Sequence, residues 1–366
     1  MKKKRVVVAL SGGVDSSTAA HLLKKEGHEV IGISMQLYDH SKLEESRFDS
    51  CCSLKDVDIA RRAAQILDIP FYVLNFEKVF KENVVDYFTK EYLQGRTPNP
   101  CVKCNEDVKF KHLILKAREL KADHLATGHY VRNRYDQSSQ TYQLLKARDR
   151  KKDQSYFLFG TSPKELPFLL FPLGEFEKTE VRTMARNAHL PNASKKESME
   201  ICFIPDNDYG AFIEKQMKEK DKAAFHGEII NKEGQVLGTH EGSFHFTVGQ
   251  RKGLGVSHKD PLYVLNVDPC TKNVRVGSHE DLFSQGLLAH SAHWICRPSA
   301  RGQGKSLSVK IRHSTKDMDC TLEGDENGGF KLKFRTPQRA VTPGQAAVLY
   351  EGDVLLGGGW IEKGYV

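Results

Sequence analysis

Up to about residue 130, short apolar runs alternate with stretches whose apolar positions recur at helical spacing. Arg5–Leu10, apolar from Val6 onward, reads as a strand buried on both faces. A glycine-containing loop, Ser11–Ser17, follows, and then a helical run from Thr18 to about Glu26. Glu29–Ser34 is again apolar and β-rich. Leu54–Leu67 sets Val57, Ala60, Ala64 and Leu67 on one helical face, and Asp68-Ile69-Pro70 ends it, because a residue before proline is pushed out of helical geometry. Phe71–Phe76 reads as a strand, Lys78–Leu93 as a helix and Gly95–Pro100 as a breaker-rich loop. Asn105–Leu120 is helical, and Asp123–Thr127 is a short strand ending at Gly128-His129-Tyr130. This order predicts an α/β fold, a doubly wound parallel sheet covered on both faces. Such sheets bind ligands at the carboxyl ends of their strands, where the Ser11 loop lies.

Tyr130–Arg134 and Tyr142–Arg148 read as a hairpin, and Glu177–Ala188 and Tyr209–Lys218 as helices. From about Gly227 the pattern changes to short strands between Gly, Pro and Asn turns. That predicts small β-rich domains, including a C-terminal β-barrel. The expected division is residues 1–207, 208–280 and 281–366, with no internal repeat. A chain of 366 residues suffices for two or three domains, each with its own core. No apolar run reaches the length of a membrane span, and Met1–Arg5 runs straight into a strand without the apolar core of a signal peptide. A cytoplasmic protein without membrane partners is expected. The formal charge of +8 favours acidic partners such as RNA without establishing one. The eight cysteines are scattered, and in a reducing compartment they are expected as thiols.

The strand–loop–helix start carries the first chemistry. In Ser11-Gly12-Gly13-Val14-Asp15-Ser16-Ser17 the glycines let the backbone approach an anion and turn into the helix. The first helical N–H groups and the helix dipole then favour a phosphate. Ser11, Ser16 and Ser17 add hydroxyl donors, and Asp15 is an oxygen ligand suited to magnesium. The Gly-Lys-Ser/Thr ending of the Walker A loop is absent. SGGVDSS instead resembles the pyrophosphate loop of the ATP pyrophosphatases, which cleave ATP between the α- and β-phosphates and adenylate a substrate.

Thr97–Asn105 contains a second signal, Cys101 and Cys104 in C-x-x-C spacing just before the expected helix. From the residues alone three readings stand side by side: half of a zinc site, a redox pair, or a reactive thiol beside the nucleotide. The wider set of motifs bears on the choice. SGGVDSS, RTPNPCVKCN, ATGHY, KDQSYFL, ESMEICFIP, TVGQRKGLG and VTPGQAAV occur in that order from residue 11 to residue 348. Together they resemble the tRNA-specific 2-thiouridylases, the MnmA family, over nearly the whole chain. Members replace the C2 oxygen of the wobble uridine of certain tRNAs with sulfur, using ATP.

The resemblance implies a nucleophile at Cys104, directly before Asn105, and a persulfide carrier at Cys202. It implies nucleotide contacts at Ala9, Leu10, Ser11, Gly12, Gly13, Val14, Asp15, Ser16, Met35 and Gly128. Asn99, Pro100 and Cys101 match the stretch that meets the target base. Lys152, Asp153, Gln154, Arg312 and His313 match tRNA-contacting positions. ATP with Mg2+ is the implied cofactor set, and tRNA and a persulfide sulfur-relay protein are the implied partners. Many members carry aspartate where this chain has Cys101. Cys101, Cys104 and Cys202 therefore also offer three thiolates to an iron–sulfur cluster, an alternative ranked below the persulfide. Two further rivals are an ATP-pyrophosphatase ligase or amidotransferase acting on a small substrate, and a non-catalytic RNA-binding protein. The remaining five cysteines, Cys51, Cys52, Cys270, Cys296 and Cys320, are expected as buried structural thiols. His129 reads equally as facing the nucleotide or as a hydrogen-bonded structural residue.

Overall fold

A computed structural model of the chain describes residues 2–38, 54–195, 201–204, 208–297, 307–324 and 328–366. The chain divides into two compact units: 1–84 with 101–205 and 353–355, and 85–100 with 206–352 and 356–366.

The first unit is built on a parallel sheet in the order β3-β2-β1-β4-β7. Its strands are β1 (Arg5–Ala9), β2 (Glu29–Gln36), β3 (Phe71–Asn75), β4 (His124–Ala126) and β7 (Leu169–Leu170). Val6, Val7 and Val8 are wholly buried, because β1 is central and covered on both faces. Helices α1 (Val14–Lys25), α2 (Leu54–Ile66) and α7 (Lys178–Asn187) belong to the same unit. Ala20 and Leu23 of α1, Ala60, Ala63 and Ala64 of α2 and Ala185 of α7 share one core with Val6 and Val8. Between β1 and β4 the strand order reverses, which opens a crevice at the carboxyl edge. The expected doubly wound sheet is present. An antiparallel hairpin, β5 (Val131–Asp136) with β6 (Thr141–Lys146), follows β4.

Two helical expectations are corrected in detail. The run expected over Lys78–Leu93 is α3 (Glu77–Phe80), a wider π-helical stretch Lys81–Val85, and α4 (Asp86–Leu93). The run expected from Asn105 starts earlier, at α5 (Pro100–Lys103), and continues through π-helical Cys104–Leu113 into α6 (Ile114–Glu119). Cys101 and Cys104 thus lie inside the helix and not before it. Pro100 is compatible with a first helical position, since the N–H it lacks would have no helical partner there.

The second unit begins, after the segment 85–100, with α8 (Tyr209–Gln216). Four strands follow, β8 (Gly227–Ile230), β9 (Val236–His240), β10 (Tyr263–Val267) and β11 (Val274–Gly277), in the order β10-β11-β8-β9. Ile229, Val264, Val267, Val274 and Val276 form their core. The last strands are β12 (Phe283–Trp294), β13 (Leu307–Lys310), β14 (Met318–Gly324), β15 (Phe330–Arg339), β16 (Ala346–Glu351) and β17 (Val354–Tyr365). They run β12-β15-β14-β13-β16-β17, and β12 pairs back onto β17, so the sheet closes into the expected barrel. Asp353–Leu355, at the start of β17, belongs to the first unit. There Val354 pairs with Leu145 of β6, and Asp353 accepts ion pairs from Arg132 and Arg150. No helix among the described residues is long and apolar enough to cross a membrane.

Candidate active site

The phosphate loop lies where β1 hands over to α1. Ala9 ends the strand, and Leu10, nearly fully buried, donates its N–H to Ile33 of β2. Gly12 has φ +76°, and a Cβ there would sit 2.3 Å from the carbonyl oxygen of Asp56. Both facts require glycine. Gly13 is extended at the N-cap of α1, so Val14, Asp15 and Ser16 supply first-turn N–H groups that no helical carbonyl can use. The hydroxyl of Ser16 is turned into the loop: it accepts from the Ser11 N–H at 3.2 Å and donates to the Gly13 carbonyl at 3.1 Å. Gly128, just after β4, closes the other side. A Cβ on it would lie 2.6 Å from the backbone nitrogen of Ser16. Met35 is buried on β2 opposite Leu74 of β3. Asn192, 1% exposed, donates its amide to the Gly12 carbonyl and to the Ser17 hydroxyl.

Asp15 has partners that its sequence neighbourhood does not reveal. Lys178 donates from Nζ to both carboxylate oxygens at 2.8 Å, and the Tyr130 hydroxyl donates to Oδ1 at 2.9 Å. Lys178 is buried at the start of α7, where its N–H donates to Asp149 and Glu177 forms a capping box with Glu180. Its ammonium also lies 5.4 Å from the Tyr130 ring centroid. These residues were missed from the sequence. With an ammonium on both oxygens, Asp15 does not fit the expected role of a protein ligand to magnesium, since a divalent cation there would face that positive charge at close range.

The thiols lie in the same unit as the phosphate loop. Cys101 is exposed, and Cys104 and Cys202 are half-buried. Asn105 is buried, accepts from Lys109 at 2.9 Å and donates to the Phe157 carbonyl, which anchors the turn that carries Cys104. The Cys202 sulfur lies 3.4 Å from the Tyr38 hydroxyl. Among the described residues no three His, Cys, Asp or Glu side chains gather as a metal-holding group. His129 bonds to the Thr127 hydroxyl at 2.8 Å and packs between Phe110 and Phe171. Burial, and then the Lys109 ammonium, hold its pKa well below 6.5, which favours the structural reading. Of the cysteines expected to be buried, Cys320 is, and burial with the Asp319 charge pushes its thiol up to about 12. Cys270 is exposed instead, on the turn between β10 and β11, where its N–H donates to Asp268. Cys296 is half-buried, and Cys51 and Cys52 lie outside the described residues.

The residues matched to tRNA contact divide by what their side chains do. Asp153 is buried and accepts from the Ala147 and Ser155 N–H groups and the Ser155 hydroxyl. Gln154 accepts from the Tyr130 N–H. Both brace the turn on which half-buried Lys152 sits. Arg312 donates to the Ala340 carbonyl and the Thr342 hydroxyl, whereas His313 beside it is exposed. Asn99 is half-buried and Pro100 buried, in a stretch fixed by Gln345 donating to the Thr97 and Pro98 carbonyls.

A glycine loop feeding a helix N-terminus at the reversal point of a parallel sheet defines an α/β protein of the class that binds phosphate groups at that point. Family profiles extend this along the chain: a tRNA methyl transferase HUP domain matches residues 4–206, a tRNA methyl transferase PRC-barrel domain 210–278, and an aminomethyltransferase beta-barrel domain 284–361. A tRNA-specific 2-thiouridylase of Geotalea uraniireducens is 50% identical over 99% of this chain and 96% of its own length. One of Geobacter metallireducens is 49% identical over 98% and 97%. The chain belongs to this family, the tRNA-specific 2-thiouridylases (MnmA). Among solved structures, a 4-thiouridine synthetase–RNA complex with bound ATP aligns over 58% of this chain and 50% of that one, at 18% identity and a TM-score of 0.35.

Proposed function

We propose that this chain is an ATP-dependent tRNA-uridine 2-sulfurtransferase that works in the cytoplasm on the wobble uridine of an anticodon loop. The observation that carries the reading is that one compact unit holds both a phosphate loop, Ser11–Ser17, and the thiols Cys101, Cys104 and Cys202. In this reading the chain carries three functional domains, residues 1–207, 208–280 and 281–366.

A uridine carbonyl oxygen is a poor leaving group. The O2 oxygen attacks the α-phosphorus of ATP, and pyrophosphate departs. The N–H groups at the start of α1 receive the phosphate charge that develops as that bond breaks. Magnesium enters as the ATP complex. Lys178, neutralising Asp15, keeps a carboxylate from repelling the phosphates. C2 then carries AMP, a competent leaving group.

Cys202 brings the sulfur as a persulfide, loaded by a sulfur-relay donor. Its terminal sulfur bonds to C2, and AMP leaves. Cys104 attacks the inner sulfur of Cys202 as the S–S bond breaks, which releases the 2-thiouridine. In the other order, Cys104 first frees the terminal sulfur as sulfide, and sulfide attacks C2. Either way a Cys104–Cys202 disulfide remains, and a two-electron thiol reductant reopens it. The wobble base is single-stranded, so it enters the site without loss of a Watson–Crick pair.

The test is incubation of the full chain with ATP, magnesium, unmodified tRNA and a persulfide source, followed by nucleoside mass analysis. 2-Thiouridine at the wobble position is expected, with loss of product in Cys104→Ala and Cys202→Ala. Pyrophosphate release on a small substrate, with both cysteine variants fully active, would replace this reading with a ligase or amidotransferase.

A further inference from the structure

Just beyond the carboxyl end of β2 the chain brings the hydroxyl of Tyr38 to 3.4 Å from the sulfur of Cys202, across 164 positions of sequence. The contact is held from both sides by one ring. Tyr38 packs edge-on against Phe80 at 5.1 Å, and Phe203, next to Cys202, packs edge-on against the same Phe80 at 5.8 Å. Phe80 is 1% exposed and Phe203 6%. The phenol is therefore fixed by its ring, and the cysteine by its neighbour, so the approach of oxygen to sulfur is built into the packing.

The chemistry gives the contact a direction. A thiol loses its proton near pH 8.5 and a phenol near pH 10, so the thiolate form arises first while the phenol still holds its hydrogen. The O–H then donates to the sulfur anion, and a hydrogen bond to the charged form favours that form. Resting on the assignment of Cys202 as the sulfur carrier, we propose that Tyr38 is a positioning residue for sulfur transfer. It donates to Cys202, keeps it a thiolate nearer neutral pH, and holds the sulfur in one orientation. In loading, that thiolate attacks the outer sulfur of a donor persulfide. One S–S bond forms as the donor's breaks, and the donor leaves as a thiolate, with no net oxidation. The same O–H then faces the inner sulfur that Cys104 must attack.

The experiment follows iodoacetamide alkylation of Cys202 against pH by peptide mass, in the full chain and in Tyr38→Phe. Phenylalanine keeps the ring against Phe80 and removes only the hydroxyl. The alkylation midpoint of Cys202 is expected to rise by roughly one unit, a roughly tenfold loss of rate at neutral pH, from the loss of one hydrogen bond to a charged group. Cys104, read in the same digest, should keep its profile. An unchanged Cys202 midpoint would overturn the proposal, even if turnover fell. So would equal shifts at both cysteines, since that means a general disturbance of the fold. The carrier assignment is tested separately: 2-thiouridine formed by Cys202→Ser would refute it without touching the alkylation result.

Discussion

Asp15 and Lys178 stand 163 positions apart and meet at 2.8 Å, with the lysine 9% and the aspartate 30% exposed at the side chain. Removing one partner of a fully buried pair costs about 3–5 kcal/mol. Here Asp15 keeps contact with water, so Lys178→Met is expected to cost about 2–3 kcal/mol in urea unfolding. It should also stop ATP-dependent pyrophosphate release, because the exposed carboxylate would then repel the phosphates. Adding Asp15→Asn, which removes that charge, should recover part of the stability and part of the turnover. A double variant no more stable than Lys178→Met alone would show that the two residues are not coupled. The loop itself was legible in the sequence, since glycine, serine and position between strand and helix all report locally. Its lysine was not. A helix-start lysine has no spacing rule that ties it to an aspartate on another helix, and only the sheet order brings α7 beside α1.

At the scale of elements, the junction of β4 with α1 decides whether the phosphate site forms. Gly128→Ala drives a Cβ to 2.6 Å from the Ser16 nitrogen, a backbone atom that cannot swing aside. It is expected to cost about 1–3 kcal/mol and to raise KM for ATP, read from thermal melts and pyrophosphate kinetics. Gly13→Ala meets nothing closer than the Ser11 hydroxyl at 3.4 Å and has ordinary φ. It should cost less than Gly128→Ala in both measurements, and equal losses at the two glycines would refute the argument from close approach. β1 and β2 were legible because burial on both faces writes a run of apolar residues, whereas two-residue β7 was too short to leave one. The start of the helix at Pro100 was not legible either. Pro98-Asn99-Pro100 looks like a loop in sequence, and the widened turns over Cys104–Leu113 leave no periodic mark, since they shift the pattern off 3.6 residues.

For the molecule as a whole, charge sets the expected behaviour with RNA. Affinity for unmodified tRNA should fall steeply with salt, because each lysine or arginine on a phosphate releases counterions. Lys152→Ala should weaken binding and make the log–log salt slope shallower by about 0.7–0.9. Arg312→Ala should do the same and also lower stability, since its guanidinium bonds to Ala340 and Thr342. An affinity indifferent to salt would leave these residues as a solvated surface. The β-rich character of the chain from about Gly227 was legible from its turn residues. The interleaving of the two units was not, because the pairings that define it join distant parts of the chain, as when Thr97 donates to the Pro343 carbonyl.

That interleaving bears on how the protein is made. The unit holding the phosphate loop is completed by Asp353–Leu355, which supply the pairing for Leu145 and the carboxylate for Arg132 and Arg150. A ribosome delivers Asp353 203 positions after the Arg150 it meets. The nascent chain must therefore carry this unit unfinished, with β6 paired only to β5, while the strands between them in sequence are made. Two arginines flanking that gap give the waiting edge a positive charge, which discourages the strand-to-strand aggregation that an unpaired edge invites.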